Sequence, residues 1–320
     1  MDTEPSVAGA FTDPAANRPL LDEPVWGEVD GRSEALGFLI GTLTRHGLRA
    51  TFFVEAAHTA WFPPAAMGGY VDRLLAAGQD VQLHLHPVWL SFRNGGHNGR
   101  SRVTDHCSEL PLPELVELIE QGSRQIQSWT GRRPTGMRTG NFSTALGVFE
   151  AMRQAGLPYA SNICLASYRP PEPELAVTDG VHLFAGVREL PVTCFSDIGP
   201  VGRGRLRPMQ VTALGAGELI RLLDRVHAFG GPVAVIVTHP FEFLKRSDHR
   251  FSDMKANRLV QRRFEKLCAY LAANTDRFEV TTLEEAASAL DVTDPMPPLV
   301  GNVARSTVRA VENFVNDRFL

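Results

Sequence analysis

The chain has 320 residues, 43% of them hydrophobic, enough for one large core, since α/β barrels often reach about 250 residues as a single domain. A net charge of -4 and a pI near 6.2 argue against a surface that wraps nucleic acid or anionic lipid, which needs clustered Lys and Arg. No stretch approaches the roughly 20 apolar residues of a membrane helix, and the opening MDTEPSVAGAFTDP lacks the basic and apolar regions of a secretory leader, so a cytoplasmic protein is expected.

Residues 1 to 32 are rich in Pro, Gly, Asp and Asn without sustained periodicity and read as a long irregular segment. Within it, Asp2 and Glu4 resemble the end of a strand whose apolar body is missing, which leads to the expectation that the true start lies upstream of Met1. After Ser33, a good cap, Ala35, Leu36, Leu39, Ile40 and Leu43 form a helical stripe that stops at Gly47. Arg49 to Val54 is β-branched and aromatic and reads as a strand, followed by a helix over about 71 to 77 that ends at Gly78.

Val81-Gln82-Leu83-His84-Leu85-His86 alternates as a strand does, so its two imidazoles leave the same face and can reach one metal ion. Pro87 cannot donate to a ladder, which sets the histidines at the carboxyl end, where parallel sheets keep their chemistry. Beyond it, 91 to 105 reads as a solvated loop. Pro113 opens an amphipathic helix through Leu115, Leu118, Ile119, Ile126 and Trp129, closed by Gly131. A short strand over 135 to 139 carries Arg138 into a Gly-containing turn.

A helix over 145 to 156, a strand near Tyr159 to Ile163, a Pro-rich loop around Pro170 to Pro173 and a strand at Glu189 to Thr193 come next. The segment 199 to 208 carries three arginines among its glycines. A helix over about 216 to 229 leads to Val233 to Thr238, apolar on both faces and expected to be an interior strand, ending at His239-Pro240. A helix over 257 to 273, a strand at Phe278 to Thr282 and a helix from Leu283 complete the alternation, which points to a parallel barrel. The Pro-rich 291 to 298 breaks this pattern, and Val303, Val308, Val311, Phe314 and Val315 space out an appended helix. The four cysteines, 107, 164, 194 and 268, form no Cys-x-x-Cys pair and read as reduced structural thiols.

In order along the chain, Ala50 to Val54, Gly78 to His84, Arg138-Thr139-Gly140-Asn141-Phe142-Ser143 and Val235 to His239 resemble the motifs of polysaccharide deacetylases of the NodB-homology type. The likeness is greatest to a branch that opens with an Asp-Thr-Glu signature and accompanies cell-surface polysaccharide genes. It covers roughly residues 1 to 290, leaving 291 to 320 as a linker and helical tail. The resemblance implies a distorted (β/α) barrel of about seven strands. It further implies hydrolysis of the acyl amide of an N-acylated sugar with one divalent metal, commonly Zn2+.

Carried over by that resemblance, His84 is the first metal histidine, Asp2 the general base, Arg138 its bidentate partner and His239 the general acid. The family's second metal histidine lies four residues after the first, where this chain has Val88; either His86 replaces it or the metal has one fewer protein ligand. The usual adjacent aspartate pair is also absent, so Asp2 and Glu4 divide the roles of base and ligand, with Glu4 favoured as ligand beside His84 and His86. The family's tryptophan-bearing motif is missing near Glu189 to Asp197, which leaves the partner of His239 undefined.

Rival readings are a non-catalytic carbohydrate-binding homologue and a hydrolase of a non-carbohydrate amide. His97, His106 and His249 read as solvated loop residues. Trp61, Phe62 and Trp89 either stack on a sugar or fill core, and Glu242 either tunes His239 or begins a helix.

Overall fold

Every residue of Thr51–Glu55 and Asp80–Leu85 is buried, the state required of strands at the centre of a parallel sheet. In the computed structural model, which describes residues 1–95, 103–198 and 204–319, these two strands are neighbours in one seven-stranded sheet. Its order is Asp2–Thr3, Thr51–Glu55, Asp80–Leu85, Gly136–Thr139, Tyr159–Ala160, Val187–Glu189 and His182–Phe184. All neighbours run parallel except the last pair, a hairpin. Register aligns Glu55 with His84 and His84 with Arg138, so three polar side chains meet at the carboxyl edge.

The fold is a distorted (β/α) barrel, and extended segments join its two sides. Asp2 donates its N–H to the Thr238 carbonyl (3.1 Å), Val237 to Met209 (3.0 Å), Thr193 to Val235 (3.0 Å) and Val192 to Ile163 (2.8 Å). Helices Leu36–Arg45, Pro64–Ala76, Leu112–Thr130, Leu146–Gln154, Ala216–Ala228, Arg258–Ala273 and Leu283–Ala289 accompany the strands. Leu112–Thr130 buries Leu115, Leu118, Ile119 and Ile126 and ends on left-handed Gly131. It lies so close to the sheet that a Cβ on Gly122 would come within 2.8 Å of Leu83.

Several expectations need correction. Residues 233–238 are extended but form no regular strand, because their bonds are divided among Asp2, Thr193 and Met209; Val233 to Ile236 are half-buried, and only Val237 and Thr238 are fully inside. Phe278 to Thr282 is no strand either: the Phe278 N–H closes a turn onto the Asn274 carbonyl (3.0 Å) and Thr282 caps the next helix. Pro87–Gly95 winds as a 3-10 helix that buries Val88, Trp89 and Phe92, so the loop expected from residue 91 starts later. His97 and the rest of 96–102, with 199–203, lie outside the described residues. Gly204–Pro208 pairs with Cys194–Ile198 as an antiparallel hairpin. The first 32 residues also hold more order than expected, with a short helix Asp22–Val25 and a hairpin of Glu28–Val29 with Arg32–Ser33.

Val303–Phe319 is helical, yet its apolar stripe faces outward: Val308, Val311 and Phe314 are 58%, 57% and 64% exposed. Polar groups dock it instead. Arg309 meets Asp197 (2.6 Å) and Glu218 (3.1 Å), and Ser306 donates to Asp197 (2.8 Å). Among the described residues, no helix is long and apolar enough to cross a membrane.

Candidate metal centre and its proton-transfer partners

Period-2 spacing turns His84 and His86 to one side of their strand, and the same spacing turns Asp2 and Glu4 to one side of theirs. Glu4 Oε2 lies 3.2 Å from His84 Nε2 and 2.7 Å from His86 Nε2, and the three donor atoms fall within 4.8 Å of one another. His84 donates from Nδ1 to the Arg138 carbonyl (2.8 Å), and His86 donates from Nδ1 to Asp105 Oδ1 (2.9 Å). Both imidazoles therefore present an Nε2 lone pair toward Glu4 once neutral, the arrangement that a carboxylate or carbonyl behind each ring fixes in metal sites. Two imidazoles and one carboxylate, with no further donor grouped with them among the described residues, match a site with open positions for water or substrate. This donor set can hold a divalent metal.

Burial by itself would lower His86, but Glu4 and then Asp105 outweigh it and hold it well above the ordinary histidine value. Burial likewise would raise Glu4, and His86 and His84 instead bring it well below the usual carboxylate range. Two further groups fix the geometry. Glu55, fully buried, accepts the backbone N–H groups of His86 and Ala57, each at 2.6 Å. Burial pushes Glu55 up to about 8. Asn141 donates to Asp105 Oδ2 at 2.8 Å.

Asp2 and Arg138 are each only 2% exposed and meet at 2.6 Å. The bidentate pairing expected here is not formed: Arg138 Nη1 takes one oxygen of Asp2, while Nε and Nη2 donate to the carbonyl and hydroxyl of Ser161 (2.9 and 2.7 Å). The guanidinium also rests 4.3 Å over the Phe53 ring. Burial would raise Asp2, yet Arg138, then His84 and His239, bring it down to about 2. Its other oxygen faces His239 Nε2 at 3.6 Å.

Glu242, three residues after His239 on the 3-10 turn Pro240–Phe243, accepts from His239 Nδ1 (2.9 Å) and from the Thr238 hydroxyl (2.7 Å). It also bonds Gln210. Burial would lower His239, but Glu242 and then Asp2 lift it to about 9. Glu242 is thus the partner that the sequence left undefined.

All six residues singled out from the sequence, Asp2, Glu4, His84, His86, Arg138 and His239, are linked by these contacts. Asp105 and Glu55 were missed. Glu55 gave a signal, a carboxylate ending a strand otherwise apolar after its first residue, whereas Asp105 lies 19 residues from His86 with no spacing rule to connect them. His106 and His249 stay on the outside, bonded to Glu109 and Asn17. Trp89 is buried at the edge of the pocket, and Trp61 and Phe62 pack in an aromatic cluster with Phe92 and Trp89. The pocket, about 220 Å³, is lined by Glu4, His86 and Asp105 with Phe241, Arg246 and Phe251. A larger groove of about 520 Å³ runs along the helix Leu112–Thr130 and is lined by none of the six residues.

No family model matches the sequence, and no curated protein matches it as a relative. Solved structures do match. A protein from Mycobacterium smegmatis assigned as a polysaccharide deacetylase aligns over 92% of this chain and 91% of its own, at 16% identity and a TM-score of 0.52. A peptidoglycan N-acetylglucosamine deacetylase, Bc1960, aligns over 81% and 85% at 13% identity and a TM-score of 0.44. A CE4 family pseudoenzyme from Bacillus anthracis aligns over 79% and 60% at 13% identity and a TM-score of 0.42.

Proposed function

We infer, for a chain that carries the polysaccharide-deacetylase fold, that it is a metal-dependent hydrolase that removes the acyl group from an N-acylated sugar. One observation carries this reading: a Glu4, His84 and His86 donor set shares a site with an ionised carboxylate and a protonated imidazole. Glu4, His84 and His86 would hold a divalent cation, zinc by the preference for two imidazoles and a carboxylate, and Lewis acidity toward the acyl carbonyl and a water is the chemistry it would supply there.

The chain's own residues handle the protons. Asp2 stays ionised down to about pH 2 and uses one oxygen on Arg138, which leaves the other to accept the proton of the attacking water. His239, protonated up to about pH 9 and oriented by Glu242, donates from Nε2 to the departing amine nitrogen. Arg138 is held by Ser161 and Phe53, so Asp2 cannot swing away from this position without breaking a buried pair. No covalent intermediate is needed.

Metal analysis and acetate release test the reading together. Purified protein reconstituted with zinc should retain about one equivalent and release acetate from N-acetylated amino sugars. His84→Ala and His86→Ala should each lose the metal, and Asp2→Asn should keep it while losing on the order of 10²–10⁴ in kcat. Metal retained by His86→Ala would make His86 a neighbour and not a ligand. Absence of acetate release by the zinc-loaded parent from acetylated monosaccharides, oligosaccharides and nucleotide-linked sugars would defeat the assignment.

A further inference from the structure

The pocket lined by Glu4 and His86 has, among the described residues, one charged side chain with no hydrogen bond inside the site. Glu4 is bonded to both histidines, His86 to Glu4 and Asp105, Asp105 to His86 and Asn141, and the Ser6 hydroxyl accepts the Ala8 N–H. Arg246 differs. It stands exposed at the pocket rim, and its hydrogen bonding among the described residues is one 3.4 Å contact from Nη1 to the Asp248 carbonyl. Guanidinium carries five N–H donors, so Nε and Nη2 remain available.

The neighbouring Asp248 carboxylate acts on it through charge alone, because the hydrogen bonds of that carboxylate go elsewhere. Asp248 accepts the N–H groups of Arg250 (3.0 Å) and Ser252 (3.2 Å) and the Ser252 hydroxyl (3.0 Å), and it pairs with Arg250 at 3.6 Å. Asp253 accepts the Ser247 N–H at 2.9 Å and latches the other side of the same loop. The loop holds Phe251 at φ +59, a conformation that a bulky L-residue rarely adopts, with its ring 4% exposed and the Arg246 guanidinium 4.2 Å above it. A strained, buried aromatic platform therefore keeps the cation at the rim, which lowers the ordering cost of binding an anion there.

We propose that Arg246 determines specificity by binding an anionic substituent of the substrate, so that the preferred N-acylated sugar is an acidic one bearing a carboxylate or a phosphate. Planar, two-point recognition of either group is what a guanidinium with a free edge does best. The proposal rests on the deacetylase reading for the identity of the ligand as a sugar.

The test compares zinc-loaded parent, Arg246→Ala and Arg246→Lys. Their ligands are N-acetylglucosamine, N-acetylglucosamine 6-phosphate and N-acetylmuramic acid, followed both by calorimetric binding and by acetate release. The parent should bind at least one acidic sugar more tightly than the neutral one. Arg246→Ala should weaken that acidic sugar ~10–100-fold, the range for a hydrogen bond to a charged group, and leave N-acetylglucosamine unchanged. Arg246→Lys should keep part of the preference. The phosphate and carboxylate arms tell the two anions apart. Arg246-dependent binding without acetate release upholds the anion site and defeats the deacetylase reading. Equal binding of neutral and acidic sugars by the parent, binding of none of the three, or an equal loss for all three in Arg246→Ala overturns the proposal.

Discussion

Asp2 divides its two oxygens between tasks: one is fixed by Arg138 at 2.6 Å and the other faces His239 at 3.6 Å. The two titrations lie far apart, with the carboxylate ionised above about 2 and the imidazole protonated below about 9. An acid whose pKa is raised is active below that value and lost above it, so the alkaline limb of kcat belongs to His239. Glu242→Gln keeps an acceptor at Nδ1 but removes the charge that raises His239. Its alkaline limb should move to lower pH by about one unit or more, with kcat at pH 8.5 falling roughly 3-fold or more while the acidic limb stays in place. A bound cation lowers both limits, so parent and variant are compared in the same metal-loaded state. An alkaline limb identical in the two proteins would exclude His239 as the acid. At this scale the sequence was informative where chemistry follows local spacing. His84 and His86 are two apart on a strand, and Glu242 is three from His239 on one turn; Asp105 reaches His86 only through the path of the intervening chain.

The turn after the Arg138 strand does for His86 what the strand itself cannot. Gly140 lies against the imidazole so closely that a Cβ there would come within 2.5 Å of three ring atoms. Asn141 and Phe142 both follow at φ 55, and Asn141 uses that conformation to reach Asp105. Left-handed φ is tolerated by Asn and costs a Phe of order 1–3 kcal/mol, so this turn stores strain beside the site. Gly140→Ala should displace His86 and weaken zinc ~10–100-fold in chelator competition, with the fold retained by circular dichroism. Unchanged affinity would mean that the ring moves aside without leaving the metal. Elements were legible where one pattern served one partner, as in Thr51–Glu55 and Leu112–Thr130. Residues 233–238 had the strongest strand composition of all, but composition does not reveal that three different segments share their hydrogen bonds. Helix Val303–Phe319 was legible as a helix, but its docking face was not. Its apolar spacing is helical, while the face that docks carries Ser306 and Arg309 against Asp197 and Glu218.

Across the whole molecule, the Asp2–Arg138 pair ties residue 2 to a strand 136 positions later, while the Asp2 N–H ties the same residue to Thr238. The barrel is therefore cross-linked at the carboxyl edge of its strands by a buried ion pair, and loss of either charge leaves the other stranded at 2% exposure. Asp2 has a folded value of about 2 against 3.8 unperturbed, so its contribution to stability is present above pH 3.8 and lost as pH falls through 2. The shift corresponds to ~2 kcal/mol. Asp2→Asn removes that pH-dependent part and adds a pH-independent cost from the unpaired guanidinium. In urea titrations the parent should exceed Asp2→Asn by the largest margin near pH 6, and the gap should narrow by about 1 kcal/mol at pH 3 and by an amount approaching ~2 kcal/mol as pH falls to 2. Asp105 and Glu4 add their own acid sensitivity to both proteins, so the diagnostic quantity is the difference between them and not either curve alone. A gap that stays constant from pH 6 to pH 3 would mean that Asp2 titrates as an ordinary carboxylate, which would also remove the basis for keeping it ionised and fixed in the site.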